Sequence, residues 1–520
     1  MKFKNTNISA TNTIQKKYLL IYFVISILFM LCLSTSTSPL YNIPYAGDTA
    51  MFQTIGKYWA EGSLPYVDLW DSKGPLIFAV NALGYLLTGQ RWGIMIIQVI
   101  CLFITLIMID RIISQYITGK KVLLFSLLFL GAYSLVYANN CTEEYILPLL
   151  TASLYGFTVY IENARKNNYV HNPLWSLLYG ITFAACFLTR LTNALGICGG
   201  VFVIVCMLII SKNFKNLFQN AIMFIAGFLI LTLPFLLYFY FNHAFNDFLY
   251  GTFTYNLEYA GNSHFKIYGN GILAVLASIF SFMSGPIVAV IGIICLFKKS
   301  LLKGFMYIFI GLLPFIWFIK SNGYLHYAII TIPYYGLIIS AVYKEFIQKN
   351  KKSKIIKILL MSVCILQCAF GVLYTGKNTL ISIYNNSNIH EVSEYNKVET
   401  NIIKMIPESE RDSFIAYNTN NGIYLQMDIK PCYPYFTMQD WAISCNNSLG
   451  TLVTEAYSSC KAKWILVEDN GTELWIDDIL KEHYSIAYEE NKPFSSTVVY
   501  KLYKRSEERR VGKECRSRWS

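Results

Sequence analysis

Apolar runs long enough to cross a lipid bilayer recur along the chain, and they constrain its fold more than any other feature. A spanning helix needs about 20 predominantly apolar residues. We predict eleven such helices, at approximately 18–35, 92–112, 122–138, 144–162, 174–190, 192–211, 218–241, 272–297, 304–320, 325–343 and 355–375. Only 14% of the residues are charged, whereas soluble domains carry about 25%. The sequence therefore predicts an α-helical polytopic membrane protein surrounded by membrane lipids.

Lysine and arginine residues collect in alternate loops, and this pattern predicts the orientation of the helices. They precede the first predicted helix and follow the second, fourth, sixth, eighth and tenth. Loops rich in lysine and arginine stay in the cytoplasm. The N-terminus is therefore predicted to be cytoplasmic and the C-terminal part to lie outside the cell membrane. The net charge of +12 is then a mark of membrane orientation, and no nucleic-acid partner is expected.

The composition divides the chain into segments. Residues 1–17 form a short cytoplasmic tail, and 18–375 form the transmembrane domain, which includes a first long loop at 36–91 on the outer side. Residues 376–504 alternate short apolar runs with polar turns, which predicts a small α/β domain outside the membrane. Residues 505–520, RSEERRVGKECRSRWS, match a one-frame translation of a common sequencing adapter. We therefore exclude them from fold reasoning.

The first long loop contains an amphipathic stretch, DTAMFQTIGKYWAEG. One helical face carries its large apolar residues, Met51, Phe52, Ile55, Tyr58 and Trp59, while Gln53 and Lys57 face away. Such a pattern predicts a helix lying in the membrane interface. Gly62 is placed to end this helix.

Four ionisable residues of this loop can carry chemistry. Asp48 stands where a helix N-cap is expected, and a carboxylate there can equally act as a general base. Asp68, Asp71 and Lys73 follow in DLWDSKGP. They form either a solvated loop with a local ion pair or a site in which Lys73 faces a lipid phosphate at headgroup depth.

Other ionisable residues lie at the predicted outer ends of later helices. Glu143 and Glu144 open the fourth helix, where acidic residues favour the helix N-terminus and Thr142 can cap it. Paired carboxylates can instead bind a sugar or a metal ion. Arg190 is either a functional group near membrane depth or a side chain that snorkels to the headgroups. His326 is either a functional group or a structural histidine.

The first long loop resembles that of the family 39 type of GT-C glycosyltransferases. The resemblance lies in an acidic residue that opens an interfacial helix, followed by Pro65-Tyr66-Val67-Asp68 and Asp71-Ser72-Lys73-Gly74-Pro75. Protein O-mannosyltransferases and the lipid A aminoarabinose transferase are relatives of this type. In this family the second of these two motifs usually has proline at the position of Gly74.

The resemblance implies a GT-C-like helical core followed by an outer α/β domain. It also implies inverting transfer of a sugar from a polyprenyl-phosphate donor to a glycan, lipid or protein acceptor. Asp48 would be the catalytic base, and Lys73, Arg190 and His326 would bind the donor phosphate. Substrate contacts would then come from Asp68, Asp71, Glu143 and Glu144. Relatives differ in whether a divalent metal takes part, so this stays open.

Two other classes of protein fit the hydrophobic pattern. A transporter or flippase would show paired inverted repeats with broken helices near mid-membrane, and the sequence has no paired halves. A polymerase or ligase of lipid-linked sugars also uses such donors but typically has its catalytic loop late in the chain. The concentration of polar residues in the predicted outer loops favours chemistry at the membrane surface.

Overall fold

A computed structural model of the chain describes residues 14–41, 47–137, 139–260, 282–321, 324–343, 392–436, 438–444, 446–493 and 495–506, with scattered positions between 362 and 380. The helices up to residue 260 are α1 Lys16–Leu33, α2 Asp48–Ala60, α3 Pro75–Thr88, α4 Trp92–Ser114, α5 Lys120–Val136, α6 Thr142–Ala164, α7 Pro173–Phe187, α8 Leu195–Ile210, α9 Phe214–Phe241, α10 Phe245–Leu249 and α11 Tyr255–Ala260. A 3₁₀ turn at Leu191–Ala194 precedes α8, and a π-helical turn at Tyr250–Thr254 joins α10 to α11.

The next described helices are α12 Ser284–Phe297, α13 Leu301–Lys320 and α14 Tyr334–Val342, with a 3₁₀ helix at Leu325–Thr331 before α14. Five described helical segments are long and apolar enough to cross a membrane: α1, α4, Leu191–Ile210, α9 and α13. The 3₁₀ helix and α14, bent by 52° at their junction, make a further span if they cross together. The chain is thus a polytopic α-helical membrane protein.

The predicted helices agree with the observed ones over most of the described residues. The helix predicted at 272–297 is described only from 282 onward, and most of that predicted at 355–375 lies outside the described residues. The close turn predicted between 174–190 and 192–211 is present at Leu188–Arg190, followed by the 3₁₀ turn.

The C-terminal domain, residues 392–506, contains a four-stranded sheet. Its strands are β1 Phe414–Tyr417, β2 Trp464–Asp469, β3 Tyr484–Asn491 and β4 Val499–Arg505, in the order β1-β2-β4-β3. Only β1 and β2 pair in parallel; the other two pairings are antiparallel. Its helices are α15 Val392–Lys404, α16 Ile423–Met427, α17 Asp440–Ser444, α18 Asn447–Ser458 and α19 Asp477–His483, with a 3₁₀ helix at Glu408–Ser413. The predicted small α/β domain is confirmed.

The last described strand reaches the segment that we excluded on sequence grounds. Arg505 pairs with Tyr484, and the backbone N–H of Arg505 donates to Lys463 O. These are backbone contacts, which any residue other than proline can make, whereas the guanidinium of Arg505 also donates to Cys460 O. Residues 507–520 lie outside the described residues.

Two apolar cores organise the molecule. The first joins the long helices, from Tyr22 on α1 to Leu337 on α14. The second is shared between the first long loop and the C-terminal domain, since Phe52 and Phe78 belong to the same buried cluster as Ile415 and Leu466. Apolar burial is the dominant favourable contribution to folding, so this shared core fixes the loop against the domain.

Helix α2 is enclosed on more sides than its amphipathic pattern predicts. Gly62, at φ +99°, follows its last turn as expected. Gln53, however, is fully buried, and its amide donates to Ser36 O and to Thr49 Oγ1. A helix in the membrane interface would expose its polar face, and this expectation fails at Gln53, because other parts of the loop cover the polar face of α2. Lys57 does lie near the surface, where it pairs with Asp428.

Candidate functional site

Asp48 is the first residue of α2 rather than its cap. Gly47 occupies the N-cap position, at φ +85°, and no side chain caps the helix there. The predicted capping role of Asp48 is therefore wrong. Its side chain is 65% exposed, and its Oδ2 lies 3.6 Å from Lys73 Nζ. The structure thus brings together the carboxylate and the cation that the loop sequence singled out.

Lys73 stands just before α3, and we call residues 71–74 the tip of the first long loop. Contacts of its backbone and its side chain hold Lys73 there. The hydroxyl of Tyr66 donates to Lys73 O at 2.7 Å, and Lys73 Nζ lies 5.9 Å from the ring centre of Phe52. Burial lowers the pKa of Lys73, but the carboxylates of Asp48 and Asp71 outweigh it and hold the pKa above its usual value. Lys73 is therefore a cation at every physiological pH.

Gly74 fixes this tip against the end of α7. Its N–H donates to Thr189 O, and Leu76 N–H donates to Leu188 O. A Cβ atom at position 74 would lie 2.2 Å from Leu188 O, which no side chain can tolerate. Proline would add that carbon and remove the N–H. The close contact thus explains why this chain has glycine there, and it ties Lys73 to the segment that leads into Arg190.

Arg190 is held by a buried carboxylate and an aromatic ring. Its Nη1 lies 3.6 Å from Glu143 Oε1, and only 1% of the Glu143 side chain is exposed. Its guanidinium carbon lies 3.3 Å from the ring centre of Tyr327. Asn193 adds a hydrogen bond to the same Glu143 oxygen at 3.4 Å. Glu143 is therefore the charge partner of Arg190 as well as a residue of the first turn of α6.

Glu144 points into a different set of contacts. It accepts hydrogen bonds from Cys141 N–H at 3.1 Å and from Gln98 Nε2 at 2.8 Å. Cys141, not Thr142, occupies the N-cap position of α6, so the predicted cap is wrong. Thr142 instead donates its hydroxyl to Glu143 Oε2 at 2.8 Å. One oxygen of Glu144 thus caps the start of α6, which is the structural role the sequence favoured, and the other binds Gln98 on α4.

His326 lies beside the aromatic ring that stacks on Arg190. Its ring centre is 4.6 Å from that of Tyr327. The Tyr327 ring centre is in turn 3.3 Å from the guanidinium carbon of Arg190. We call the six residues Asp48, Asp71, Lys73, Glu143, Arg190 and His326 the charged cluster.

The two other aspartates of the loop differ from one another. Asp68 is exposed, and it accepts a hydrogen bond from Leu64 N–H at 2.7 Å within its own turn. Asp71 is buried, and Ser72 N–H donates to its Oδ1 at 2.5 Å. Its Oδ2 has no hydrogen-bond partner within the described part of the chain. Burial raises the pKa of Asp71, and the nearby Lys73 opposes this rise.

The sequence did not single out three residues that shape the cluster. Tyr66, at φ +70°, is buried under Lys73. Tyr327 stacks on Arg190. Asn140 donates to Thr49 Oγ1 at 3.3 Å and to Asn81 Oδ1 at 2.9 Å, which joins the starts of α2 and α6 to α3. The available signals were the place of Tyr66 in the motif Pro65-Tyr66-Val67-Asp68 and the position of Tyr327 next to His326.

Two other kinds of site are weaker candidates than the charged cluster. Among the described residues, no three histidine, cysteine, aspartate or glutamate side chains converge on a point where they could hold a metal ion. A groove of about 460 Å³ lies on the C-terminal domain, lined by Asp469, Asp477, Lys481 and Lys501 among others. Its Asp469 pairs with Lys501 at 2.6 Å and its Asp477 with Lys481 at 4.0 Å. The charged side chains of the groove thus mostly pair with one another. The charged cluster is therefore the better candidate for a ligand site.

Comparison with known proteins identifies the family. Residues 5–371 match the family described as the competence-induced protein Ccs4 N-terminal domain. The match covers well over half of the chain, so the protein belongs to this family. No curated protein matches the chain.

Comparison with solved structures identifies the architecture. The crystal structure of ArnT from Cupriavidus metallidurans bound to undecaprenyl phosphate is similar over 94% of this chain and 98% of that one, with a TM-score of 0.55 and 11% identity. ArnT in the apo state is similar over 93% of this chain and 97% of that one, with a TM-score of 0.54 and 11% identity. The fold is therefore ArnT-like, which agrees with the expected GT-C-like architecture.

Proposed function

We propose that this protein is an inverting glycosyltransferase that moves a sugar from a polyprenyl-phosphate donor to an acceptor of the cell envelope, on the outer face of the membrane. The observation that supports the proposal most is the pair formed by Asp48 Oδ2 and Lys73 Nζ at 3.6 Å, with Asp48 largely exposed. The similarity in fold to an ArnT structure that contains undecaprenyl phosphate supports the class of donor.

The donor phosphate would bind first to the cations of the charged cluster. Lys73 carries a full positive charge, and Arg190 offers a planar guanidinium that can bind two phosphate oxygens at once. A phosphate that binds Lys73 competes with Asp48 for the same ammonium group. Donor binding thus releases the Asp48 carboxylate, which then becomes available as a base.

The reaction then follows from the positions of these groups. Asp48 takes the proton of an acceptor hydroxyl as its oxygen attacks the anomeric carbon of the donor sugar. The new glycosidic bond forms as the bond between the anomeric carbon and the phosphate oxygen breaks, and that oxygen keeps the electron pair. Lys73 and Arg190 stabilise the charge that develops on the phosphate, so no separate acid is needed. Attack from the opposite face inverts the anomeric configuration.

The other residues of the site complete this proposal. His326 would assist in phosphate binding, since it lies beside Arg190 and Tyr327. Asp68 and Asp71 would contact substrate from the loop, while Glu143 acts through Arg190 and Glu144 through the start of α6. The acceptor would be a glycan, a lipid or a protein. Whether a divalent metal ion takes part stays open.

The decisive experiment replaces Asp48 with asparagine in membranes supplied with polyprenyl-phosphate sugars. Transfer is expected to be lost while insertion stays normal, because asparagine keeps the shape of the side chain but cannot take a proton. Glu61→Gln, at the other end of α2, is the matched control and is expected to transfer normally. Normal transfer by Asp48→Asn would contradict the proposed base.

Two further outcomes separate this proposal from its alternatives. Movement of a labelled lipid-linked sugar across the membrane without transfer to an acceptor would indicate a flippase instead. Labelling of single cysteines in the first long loop with a membrane-impermeant maleimide tests the predicted orientation. Protection of these cysteines in intact cells would place the loop in the cytoplasm and contradict the proposal.

A further inference from the structure

Trp70 joins the first long loop to the C-terminal domain. It is 4% exposed, and its backbone N–H donates to Pro434 O at 2.9 Å. Its ring centre lies 5.7 Å from that of Tyr435 and 5.3 Å from that of Tyr255 on α11. Trp70 is therefore held between the C-terminal domain on one side and the segment after α9 on the other.

The three residues after Trp70 carry this restraint to the charged cluster. Asp71 is buried. Ser72 O accepts a hydrogen bond from Asn256 Nδ2 at 2.5 Å, and Asn256 follows Tyr255 on α11. Lys73 O accepts the hydroxyl of Tyr66. Trp70, Ser72 and Lys73 are thus each held by a contact with another part of the chain, and Asp71 by burial, so the backbone from Trp70 to Lys73 has little freedom.

A second contact reaches the helix that carries Asp48. Lys57, in the last turn of α2, pairs with Asp428 of the C-terminal domain. A third contact joins Asn446 of the domain to Glu258 on α11. The C-terminal domain therefore touches α2, which begins with Asp48, the loop that ends at Lys73, and the helix that supports that loop.

The apolar residues around these polar contacts form one continuous core. Trp70 and Tyr66 belong to the same buried cluster as Tyr433 and Phe436 of the C-terminal domain. Because interiors are close-packed, a shift on one side of such a core is transmitted to the other. The domain is thus part of the packing that determines where the tip of the first long loop lies.

We infer that the C-terminal domain positions the donor site, with Trp70 as the positioning residue through which it fixes Lys73 opposite Asp48. This inference rests on the proposed function for the role of Lys73 as a phosphate ligand. It gives the domain a role in donor binding that is distinct from any role in acceptor choice. Loosening the domain from Trp70 should therefore weaken phosphate binding without removing any group that touches the phosphate.

The test uses the full-length protein and substitutions on the domain side of the contact. Tyr435→Ala removes the ring that packs on Trp70, and Tyr435→Phe keeps it as the matched control. Asp428→Lys places two cations together at the exposed contact with α2 and does not disturb the interior of the domain. Hydrogen exchange reports local opening, so amide exchange over 64–76 measures the freedom of the loop.

Exchange over 70–73 is expected to be about tenfold faster in Tyr435→Ala, which corresponds to the loss of one well-packed aromatic pair and its burial. It should stay at the wild-type rate in Tyr435→Phe. Asp428→Lys should speed exchange in the last turn of α2. Unchanged exchange over 464–469 verifies that the domain itself stays folded. Equal loop exchange in the wild type and both Tyr435 variants would overturn the inference.

Binding of undecaprenyl phosphate to the same proteins in nanodiscs completes the test. The dissociation constant is expected to rise about tenfold in Tyr435→Ala, matching the exchange result, and to stay unchanged in Tyr435→Phe. If the wild type binds but Tyr435→Ala binds equally well, the inference is wrong. If the wild type does not bind, the proposed function fails, while the exchange measurement still decides whether the domain positions the loop.

Discussion

The two ion pairs of the charged cluster have the same separation but different surroundings. Asp48 and Lys73 are 3.6 Å apart with side chains 65% and 32% exposed, whereas Arg190 and Glu143 are 3.6 Å apart with 22% and 1% exposed. Exposed pairs contribute about 0–1 kcal/mol to stability. A buried pair is costly to break because one charge is left without a partner. We therefore expect the first pair to open more readily than the second, which holds Arg190 in place.

Glu143→Gln should have the largest effect on stability. Removing the buried carboxylate leaves Arg190 without its charge partner, and the free energy of unfolding should fall by about 3 kcal/mol. Thermal unfolding in detergent measures this. Glu408→Gln is the control, since Glu408 pairs with Arg411 at the same 3.6 Å but is 89% exposed. Equal shifts in the two variants would remove the distinction between buried and exposed pairs.

Lys73→Met should have the next largest effect, this time on binding. The substitution keeps the apolar stem and removes the ammonium group. A hydrogen bond to a charged group contributes about 1.5–3 kcal/mol, so the dissociation constant for undecaprenyl phosphate should rise roughly 10- to 100-fold. Lys404→Met, an exposed position in the C-terminal domain, should bind as the wild type does. Unchanged binding by Lys73→Met would mean that the exposed pair does not open toward phosphate.

Asp71→Asn tests whether the buried carboxylate beside Lys73 lowers the stability of the folded protein. Burial raises the pKa of Asp71 above its usual value, so the folded protein loses stability as the pH rises from the unfolded pKa through the folded one. Asparagine does not titrate. The variant should therefore melt higher than the wild type at pH 7.5, and the difference should shrink near pH 4.5. A difference that grows as the pH falls would contradict this sign.

Asp48→Asn should have the smallest effect on stability. Its pair with Lys73 is exposed, so the free energy of unfolding should change by less than about 1 kcal/mol. The turnover number should nevertheless fall by about 100-fold or more, since a positioned general base contributes at least that much. Thermal unfolding and transfer assays on one preparation measure both. A large loss of stability would show that the exposed pair is structural after all.

The sequence predicted the helices well because apolar length and turn residues determine them locally. Gly62 follows α2, as its tolerance of positive φ requires. Strands β1, β2 and β4 coincide with the apolar runs at FIAY, WILVED and VYKLY. Strand β3, Tyr484–Asn491, was not predicted, because six of its eight residues, SIAYEE, form a mostly exposed edge without a marked apolar run.

The site was predicted only in part because its pairings depend on packing. Asp48 and Lys73 could be singled out, since both stand in one short loop rich in polar groups. The pairing of Arg190 with Glu143 could not be, because it depends on how α6 packs near the turn after α7. The error at Gln53 has the same origin. A helical wheel assumes solvent on the polar side, whereas here Ser36 and its neighbours cover that side.

The hydrogen bond from Trp70 to Pro434 has a consequence for biosynthesis. The ribosome makes the loop that carries Lys73 early, and it makes the C-terminal domain only after the transmembrane helices. Until the final strands emerge and pair, the nascent chain holds its cations without the domain that fixes them. We therefore expect nascent chains that stop before residue 434 to insert their helices and yet be unable to process any lipid-linked sugar. Under the proposed function, such a truncated chain would therefore leave the lipid-linked precursors of the envelope unchanged.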